Sequence, residues 1–156
     1  MDHKRHIIIA GGGASGLTAA IMAAKEGCSV TVLEHNEKTG RKICVTGNGR
    51  CNLTNRDQRE DAYHGDHPEF AREVLRQFSF EDTLHFFENI GIAFADRKGW
   101  LYPRSGQAKS VAELLEGKAR SLKVKIKTKE HVNDVFKKDG IWNVRTEGWT
   151  YQGDAV

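Results

Sequence analysis

The sequence predicts an α/β fold: a parallel βαβ unit at the start, helices inserted after it, and an antiparallel β-meander near the end. Three observations carry this. A glycine-rich turn, Gly11 to Gly16, stands between an apolar run and an alanine-rich helical pattern. An acid, Glu34, closes the next apolar run 18 residues past Gly16. Short apolar runs broken by Asp139-Gly140 and Glu147-Gly148 follow in the last quarter of the chain.

Composition bounds the reading. The 156 residues allow one domain, or one carrying part of a second. With 38% apolar and 29% charged residues and only 2 prolines, the chain is no disordered tail, collagen or disulfide scaffold. A net charge of +3 is too small to argue for nucleic acid or an anionic membrane. Cys28, Cys44 and Cys51 form no C-x-x-C pair and no metal-ligand spacing, which suits free thiols in a reducing compartment. The basic start before Ile7-Ile8-Ile9-Ala10 has the look of a signal peptide, but its apolar run is too short and Gly11 to Gly13 break it. No stretch approaches the roughly 20 apolar residues of a membrane span. The expectation is a soluble, cytoplasmic protein with no membrane and no nucleic-acid partner.

Ile7 to Ala10 reads as a strand buried on both faces. Gly11-Gly12-Gly13-Ala14-Ser15-Gly16 satisfies G-x-G-x-x-G, and Leu17, Ala20, Ile21 and Ala24 then share one helical face up to the stop at Gly27. Val30 to Leu33 is a second strand ending at Glu34. Glycine loops match by chance, but this whole unit is the signature of a Rossmann-like dinucleotide-binding βαβ. Gly11 allows the tight turn, Gly13 lets the backbone approach a pyrophosphate, and Gly16 lets helix and strand pack closely. The amino end of the helix, at Ala14 and Ser15, offers N–H groups and partial positive charge to phosphates. Glu34 is placed to accept the ribose hydroxyls, and an acid there argues against a 2′-phosphate. His35, next to it, joins the cofactor-binding set.

Residues 35–55 depart from a simple NAD-binding unit, which would continue into another helix and strand. Gly40, Gly47 and Gly49 among small polar residues predict a loop whose backbone lies close to a flat ligand. Arg41, Lys42 and Arg50 suit phosphate or the negative charge of a reduced flavin, although Arg50 is equally readable as a solvated loop arginine. Asn48 and Asn52 both donate and accept, as the polar edge of an isoalloxazine requires. Cys51 reads as packing or backbone contact in preference to a redox thiol, since its nearest companion, Cys44, is seven residues away.

Gly11 to Leu17, Glu34, Gly40-Arg41-Lys42 and above all Thr46-Gly47-Asn48-Gly49-Arg50-Cys51-Asn52-Leu53-Thr54-Asn55 resemble the bacterial NAD(P)/FAD-dependent oxidoreductases often labelled aminoacetone-oxidase-type flavoproteins. The resemblance continues through Gly99 to Pro103 and Ala108. It implies a two-dinucleotide-binding-domain flavoprotein with a glutathione-reductase-like FAD domain, here incomplete. FAD would be held noncovalently, with the flavin near Thr46, Gly47, Gly49, Arg50, Cys51 and Asn52. It also implies that the backbone of Val132 meets the adenine. It transfers little about substrate.

Residues 56–122 read as a helical insertion, beginning with a hydrophilic connection over 55–66. His64 and His67 there are read as solvated and not as metal ligands. Pro68 starts a helix whose apolar face is Phe70, Val74, Leu75 and Phe78, and Ser79 with Asp82 caps another presenting Leu84, Phe87 and Ile90. The aromatic residues at helical spacing are expected in the core. Ile92 to Tyr102 reads as a hairpin, in which Trp100 and Tyr102 either pack or border a substrate channel. Val111, Leu114, Leu115 and Ala119 mark a further helix.

Lys123, Lys125, Lys127 and Lys129 alternate with Val124, Ile126 and Thr128, which predicts a strand with one solvated, edge-protecting face. Runs at Val135-Phe136, Ile141 to Val144 and Trp149 to Tyr151 give the meander of residues 123–156. Gly153 to Val156 reads as the start of a buried strand. Against the resembled family, that makes residues 1–156 the N-terminal portion of an FAD-binding domain, with residues 1–55 its βαβ and flavin loop and the full return strand missing. The leading reading is an FAD-dependent oxidoreductase acting on a small-molecule substrate, with NAD(P)H a candidate electron donor. An NAD-binding dehydrogenase and a non-catalytic nucleotide-binding fragment are the alternatives. No residue is named as general acid or base; His85 reads as a surface or packing residue. Oligomeric state is not legible.

Overall fold

The computed structural model describes residues 4–59 and 62–156. Met1 to His3, part of the leader-like start, and Glu60 and Asp61, part of the expected connection, lie outside the described residues. In chain order the elements are β1 (His6–Ala10), α1 (Ala14–Lys25), β2 (Ser29–Glu34), α2 (Arg41–Val45), a 3-10 turn (Thr46–Gly49), β3 (Thr54–Asn55), α3 (Pro68–Gln77) and α4 (Phe80–Asn89). They continue with β4 (Phe94–Arg97), β5 (Trp100–Pro103), α5 (Ala108–Ser121), β6 (Lys125–Thr128), β7 (Val132–Lys138), β8 (Ile141–Thr146) and β9 (Thr150–Gly153). The chain divides into two compact units, one running through Cys44 and resuming at Ala112–Val156, the other Val45–Val111.

The first unit is built on a parallel sheet in the order β1-β2-β6. Ile7 pairs with Val30 and Ala10 with Leu33, while Val32 pairs with Ile126 on the other side. Ile8, Val32 and Leu33 are fully buried, and α1 buries Leu17, Ala20 and Ile21 against the strands. Each buried isoleucine, leucine or valine among these stabilises the fold by roughly 1.5–3 kcal/mol. On the far side of β1, Ala155 forms a parallel bridge with Ile7, and the Ile8 amide donates to the Ala155 carbonyl at 3.0 Å. Residues 153–156, read from sequence as the start of a buried strand, thus meet β1 at this bridge.

Lys125 and Lys127 of β6 are exposed while Ile126 and Thr128 are half-buried, and β6 is the sheet edge, as the lysine alternation predicts. The meander β7-β8-β9 is antiparallel, and its first turn places Asp139 and Gly140 at φ 50° and 82°, as a two-residue hairpin turn requires. It packs on the parallel sheet through Val144, Val132 and Tyr151 against Ile8 and Leu33.

The second unit holds the antiparallel sheet β3-β5-β4 with α3 and α4. The predicted hairpin is β4-β5, with Arg97 opposite Trp100. Ser79 and Asp82 form a reciprocal capping box that opens α4. Three expectations are corrected. Residues 35–55 are not all loop, because α2 and the 3-10 turn occupy 41–49. In α4, Phe86 is buried, where Leu84 and Phe87 are only partly so; Phe86 meets Phe87 edge-on at 5.3 Å. The apolar arc of α3 is not core. No residue of α3 is buried, and Phe70 and Val74 are 71% and 51% exposed. Helical spacing fixes which residues share a face, not whether another element covers it.

Candidate dinucleotide site

The three glycines of the fingerprint are needed for three different reasons. Gly11 has φ 101°, a conformation that side chains avoid, and its amide donates to the Leu33 carbonyl at 2.7 Å. At Gly16 a Cβ would collide with the Gly11 carbonyl oxygen and crowd Ile9, so glycine there lets α1 lie against β1. Gly13 has ordinary dihedrals, φ −81° and ψ −168°, and a Cβ on it would meet no protein atom. Among the described residues, nothing requires glycine at that position. The absent side chain leaves open space over the first turn of α1, which has no side-chain cap and no acid. Ala14 and Ser15 of that turn are exposed, and helix geometry gives the first amides no intrahelical acceptor.

Glu34 ends β2 with its side chain buried. Its Oε2 accepts the Gly12 amide at 2.7 Å, and its Oε1 accepts the Asn36 amide at 2.8 Å and the Asn36 Nδ2 at 2.7 Å. Nδ1 of His35 lies 3.0 Å from Oε1. Burial works to raise the Glu34 pKa, but the amides of Asn36 and Gly12 outweigh it and hold the carboxyl below its usual range. The result is an ionised, immobile acceptor at the carboxyl end of the sheet.

The 129–132 segment lies beside it. The Glu130 amide donates to the Glu34 carbonyl at 2.9 Å and the Lys129 amide to the Asn36 carbonyl at 3.0 Å. The rings of His35 and His131 meet edge-on at 6.1 Å. Val132 follows, half-buried at the start of β7, just before a register shift. Residues nearly a hundred positions apart thus gather at the end of β2. Arg41 reaches the same corner, donating from Nη1 to Asn36 Oδ1 at 3.0 Å, while Lys42 is exposed on α2.

Around this corner, Thr39, Glu116 and the specific need for Gly12 are not singled out by the sequence, and Gly40 is singled out only as a loop glycine. The Gly40 amide donates to the Gly12 carbonyl at 2.8 Å, folding the chain after β2 back onto the glycine turn. A Cβ on Gly12 would stand 2.7 Å from Thr39 Cγ2, so the middle of the three glycines is needed as well. Thr39 in turn donates to Glu116 of α5 at 2.5 Å. The run of three glycines, one more than the fingerprint demands, was the available signal.

In the second unit the Thr46–Asn52 segment is tightly wound. Asn48 and Cys51 adopt φ 54° and 58°, unfavourable for residues with a side chain and a mark of functional loops. The Cys51 amide donates to the Thr46 carbonyl at 3.1 Å, and its side chain is buried, as the packing reading of this cysteine expects. Arg50 donates to the Gly47 carbonyl and stands 5.6 Å from the Tyr102 ring, while Gly47 and Gly49 are exposed. Asn52 gives its Nδ2 to the carbonyls of Thr54 and Leu101, at 3.1 and 3.0 Å. Its donor group therefore anchors the segment to β5, leaving only Oδ1 for a ligand.

Among the described residues, no helix is long and apolar enough to cross a membrane, and no group of three or more potential metal ligands is assembled. His85 is exposed, and His67 contacts Glu69 at 3.0 Å.

Comparison with known proteins places this architecture. The 3-dehydro-bile acid delta(4,6)-reductase of Clostridium scindens is 47% identical over 150 residues, covering 95% of this chain and 37% of that protein. The ribosomal RNA dihydrouridine synthase of Haemophilus influenzae is 33% identical over 136 residues, covering 86% of this chain and 34% of that protein. The chain thus spans about a third of the length of these relatives. The 3-ketosteroid-delta4-(5alpha)-dehydrogenase of Rhodococcus jostii shares the fold with a TM-score of 0.65 at 17% identity, covering 97% of this chain and 44% of that one. The HI0933-like protein Rossmann domain matches residues 5–156. With the glycine turn, the fixed acid and the parallel sheet, that match means the chain belongs to the HI0933-like proteins, a family of FAD-dependent oxidoreductases, and carries their Rossmann domain.

Proposed function

We propose that the chain holds FAD noncovalently outside the carboxyl ends of β1 and β2. The diphosphate rests on the first turn of α1, over Gly11, Gly13, Ala14, Ser15 and Gly16. Glu34 accepts the ribose hydroxyls, with His35 and the Val132 backbone at the adenine. Arg41 and Lys42 neutralise phosphate charge. Thr46, Gly47, Gly49, Arg50, Cys51 and the Asn52 Oδ1 meet the isoalloxazine. The observation that carries this is Gly13, where a Cβ would meet no protein atom at the opening of α1. When bound, FAD supplies hydride and electron transfer, and the residues of this chain bind it, orient it and balance its charge.

The reaction we infer is reduction of a carbon–carbon double bond conjugated to a carbonyl in a small cytoplasmic substrate, with NADH or NADPH as electron donor. Support comes from the names of the two relatives, a delta(4,6)-reductase and an enzyme whose product is dihydrouridine, both of which describe saturation of a ring double bond. The test is spectroscopic. The purified protein with FAD should show bound-flavin absorption that bleaches with NADH or NADPH and recovers on adding an unsaturated ketone. Uptake of NAD but not FAD would overturn the cofactor assignment. Recovery with a uridine-containing RNA but with no unsaturated ketone would move the substrate to nucleic acid.

A further inference from the structure

Two residues between β2 and α2, Thr39 and Gly40, touch both α5 and the glycine turn, and all of these lie in the first unit. On α5, Ala112, Glu116 and Arg120 follow one another at helical i,i+4 spacing and so share a face. Ala112 backs Gly40, where a Cβ would stand 2.7 Å from the Ala112 Cβ. Glu116 backs Thr39 and accepts its hydroxyl on Oε2 at 2.5 Å. Arg120 donates from Nε to the other carboxylate oxygen, Oε1, at 2.8 Å, which leaves Oε2 for Thr39. Burial works to raise the Glu116 pKa, but the bonds from Thr39 and Arg120 outweigh it and keep the carboxyl below its usual range. The acceptor of the Thr39 hydroxyl is therefore a charged one, and such bonds are the strong ones.

Gly12 is the common target. Its amide is bound by Glu34, its carbonyl by the Gly40 amide, and Thr39 Cγ2 occupies the place where its side chain would begin. We infer that Glu116 is a positioning residue for the dinucleotide, an inference that rests on the FAD reading of this turn: through Thr39 it fixes Gly12, and with Gly12 the course of the turn that presents the first amides of α1 to the diphosphate. The mechanism lies in the branching of Thr39. Its hydroxyl and methyl share one Cβ, so a hydroxyl deprived of Glu116 either stays unpaired in a buried side chain or rotates about χ1. Rotation carries Cγ2 off Gly12. A binding turn keeps its geometry only when the side chains behind it are locked by packing and hydrogen bonds of their own. Glu116 touches no part of the turn itself; it acts from α5, 77 positions away from Thr39.

The experiment is calorimetric titration of the whole chain with FAD, ADP and adenosine, joined to amide hydrogen exchange without ligand. Glu116→Ala and Thr39→Val should each weaken FAD and ADP by about tenfold, the size of one lost charge-assisted bond. The double variant T39V/E116A should bind no more weakly than either single one, because both break the same link. Glu116→Gln keeps an acceptor for Thr39 and should recover most of the affinity. Adenosine, which lacks the diphosphate, should bind parent and variants alike, whereas a fold merely loosened would lose it too. Without ligand, the Gly12 and Gly40 amides should exchange faster in Glu116→Ala, while the Ile8 amide, bonded to Ala155, exchanges as before. Where Glu116→Ala melts early, Thr39→Val, which keeps the volume and the Cγ2 contact, carries the test. The proposal is overturned if both variants bind ADP like the parent, if adenosine weakens as much as ADP, or if Glu116→Gln is no better than Glu116→Ala. A parent that binds neither FAD nor ADP overturns the FAD reading instead, and unchanged exchange at Gly12 and Gly40 then overturns this one as well.

Discussion

Glu34 accepts the Gly12 amide at 2.7 Å, so the acid that closes β2 is fastened to the middle of the glycine turn. One hydrogen bond joins the two parts of the motif that sequence reading treats as independent contacts to a ligand. The carboxylate has two jobs: it fixes the turn and keeps acceptor capacity for a sugar. Replacing Glu34 by glutamine puts a donor amide where two backbone amides already donate. Charge-assisted hydrogen bonds of this kind contribute about 1.5–3 kcal/mol. Glu34→Gln should therefore weaken FAD binding by about tenfold or more and lower the melting temperature, measured by flavin fluorescence and calorimetry. The effect is pH-dependent with a defined sign. The folded pKa of Glu34 lies below the ordinary value of 4.5, so its stabilising effect is complete above that value and is lost as pH falls through the folded one. The glutamine variant should lack that part of the acid destabilisation.

Gly13 and Gly16 separate binding from folding. A side chain at Gly13 meets no protein atom, whereas one at Gly16 meets the Gly11 carbonyl. Gly13→Val should keep a near-native melting temperature and lose FAD. Gly16→Ala should lower stability by about 1–3 kcal/mol, the usual cost of overpacking, before any ligand is added. A Gly13→Val protein that retains FAD would show that the diphosphate lies elsewhere.

What could be read from sequence follows the range of the interaction involved. The βαβ unit, the capping box at Ser79 and the meander depend on neighbours in the chain, and their residue patterns are complete within short windows. The lysine alternation of β6 likewise revealed its solvated face. The reasons for Gly12, Thr39 and Glu116 were hidden, because each depends on a partner brought close only by the fold, across as many as 77 positions for Thr39 and Glu116. The exposed face of α3 misled for a related reason: an apolar arc records an intention to be covered without naming the cover. In the Thr46–Asn52 segment, composition suggested ligand contacts for Asn52, yet its Nδ2 serves the backbone of β3 and β5.

Asn52→Ala tests that structural duty. Removing the amide leaves the carbonyls of Thr54 and Leu101 without this donor, beside a Leu101 side chain that is 2% exposed. The Leu101 carbonyl keeps the Leu53 amide at 2.8 Å, so the loss is that of ordinary hydrogen bonds, about 0.5–1.5 kcal/mol each. The variant should melt earlier even without FAD. Asn52→Asp, which keeps the size and the acceptor but loses the donor, should melt as early as the alanine variant. An aspartate variant as stable as the parent would return Asn52 to a pure ligand contact.

Tyr151 gives the alkaline counterpart to Glu34. Its hydroxyl donates to Glu130 Oε1 at 2.7 Å, and burial, then this bond, raise the phenol from 10.0 to about 12. A raised folded pKa means the neutral, hydrogen-bonded phenol stabilises the fold in full below pH 10. That contribution fades as pH rises through about 12, where the phenolate would face the Glu130 carboxylate. The same residue packs with Val132 against Ile8 and Leu33, so its titration reports on the sheet that carries the dinucleotide site. Near-ultraviolet titration should show a phenolate appearing around pH 12, absent in Tyr151→Phe, with the parent losing melting temperature over that window more steeply than the variant. Glu130→Gln should shift the same transition toward lower pH, because the carboxylate that disfavours the phenolate is gone. If the transition stays in place in Glu130→Gln, the bond between β9 and the segment after β6 is not what holds the proton.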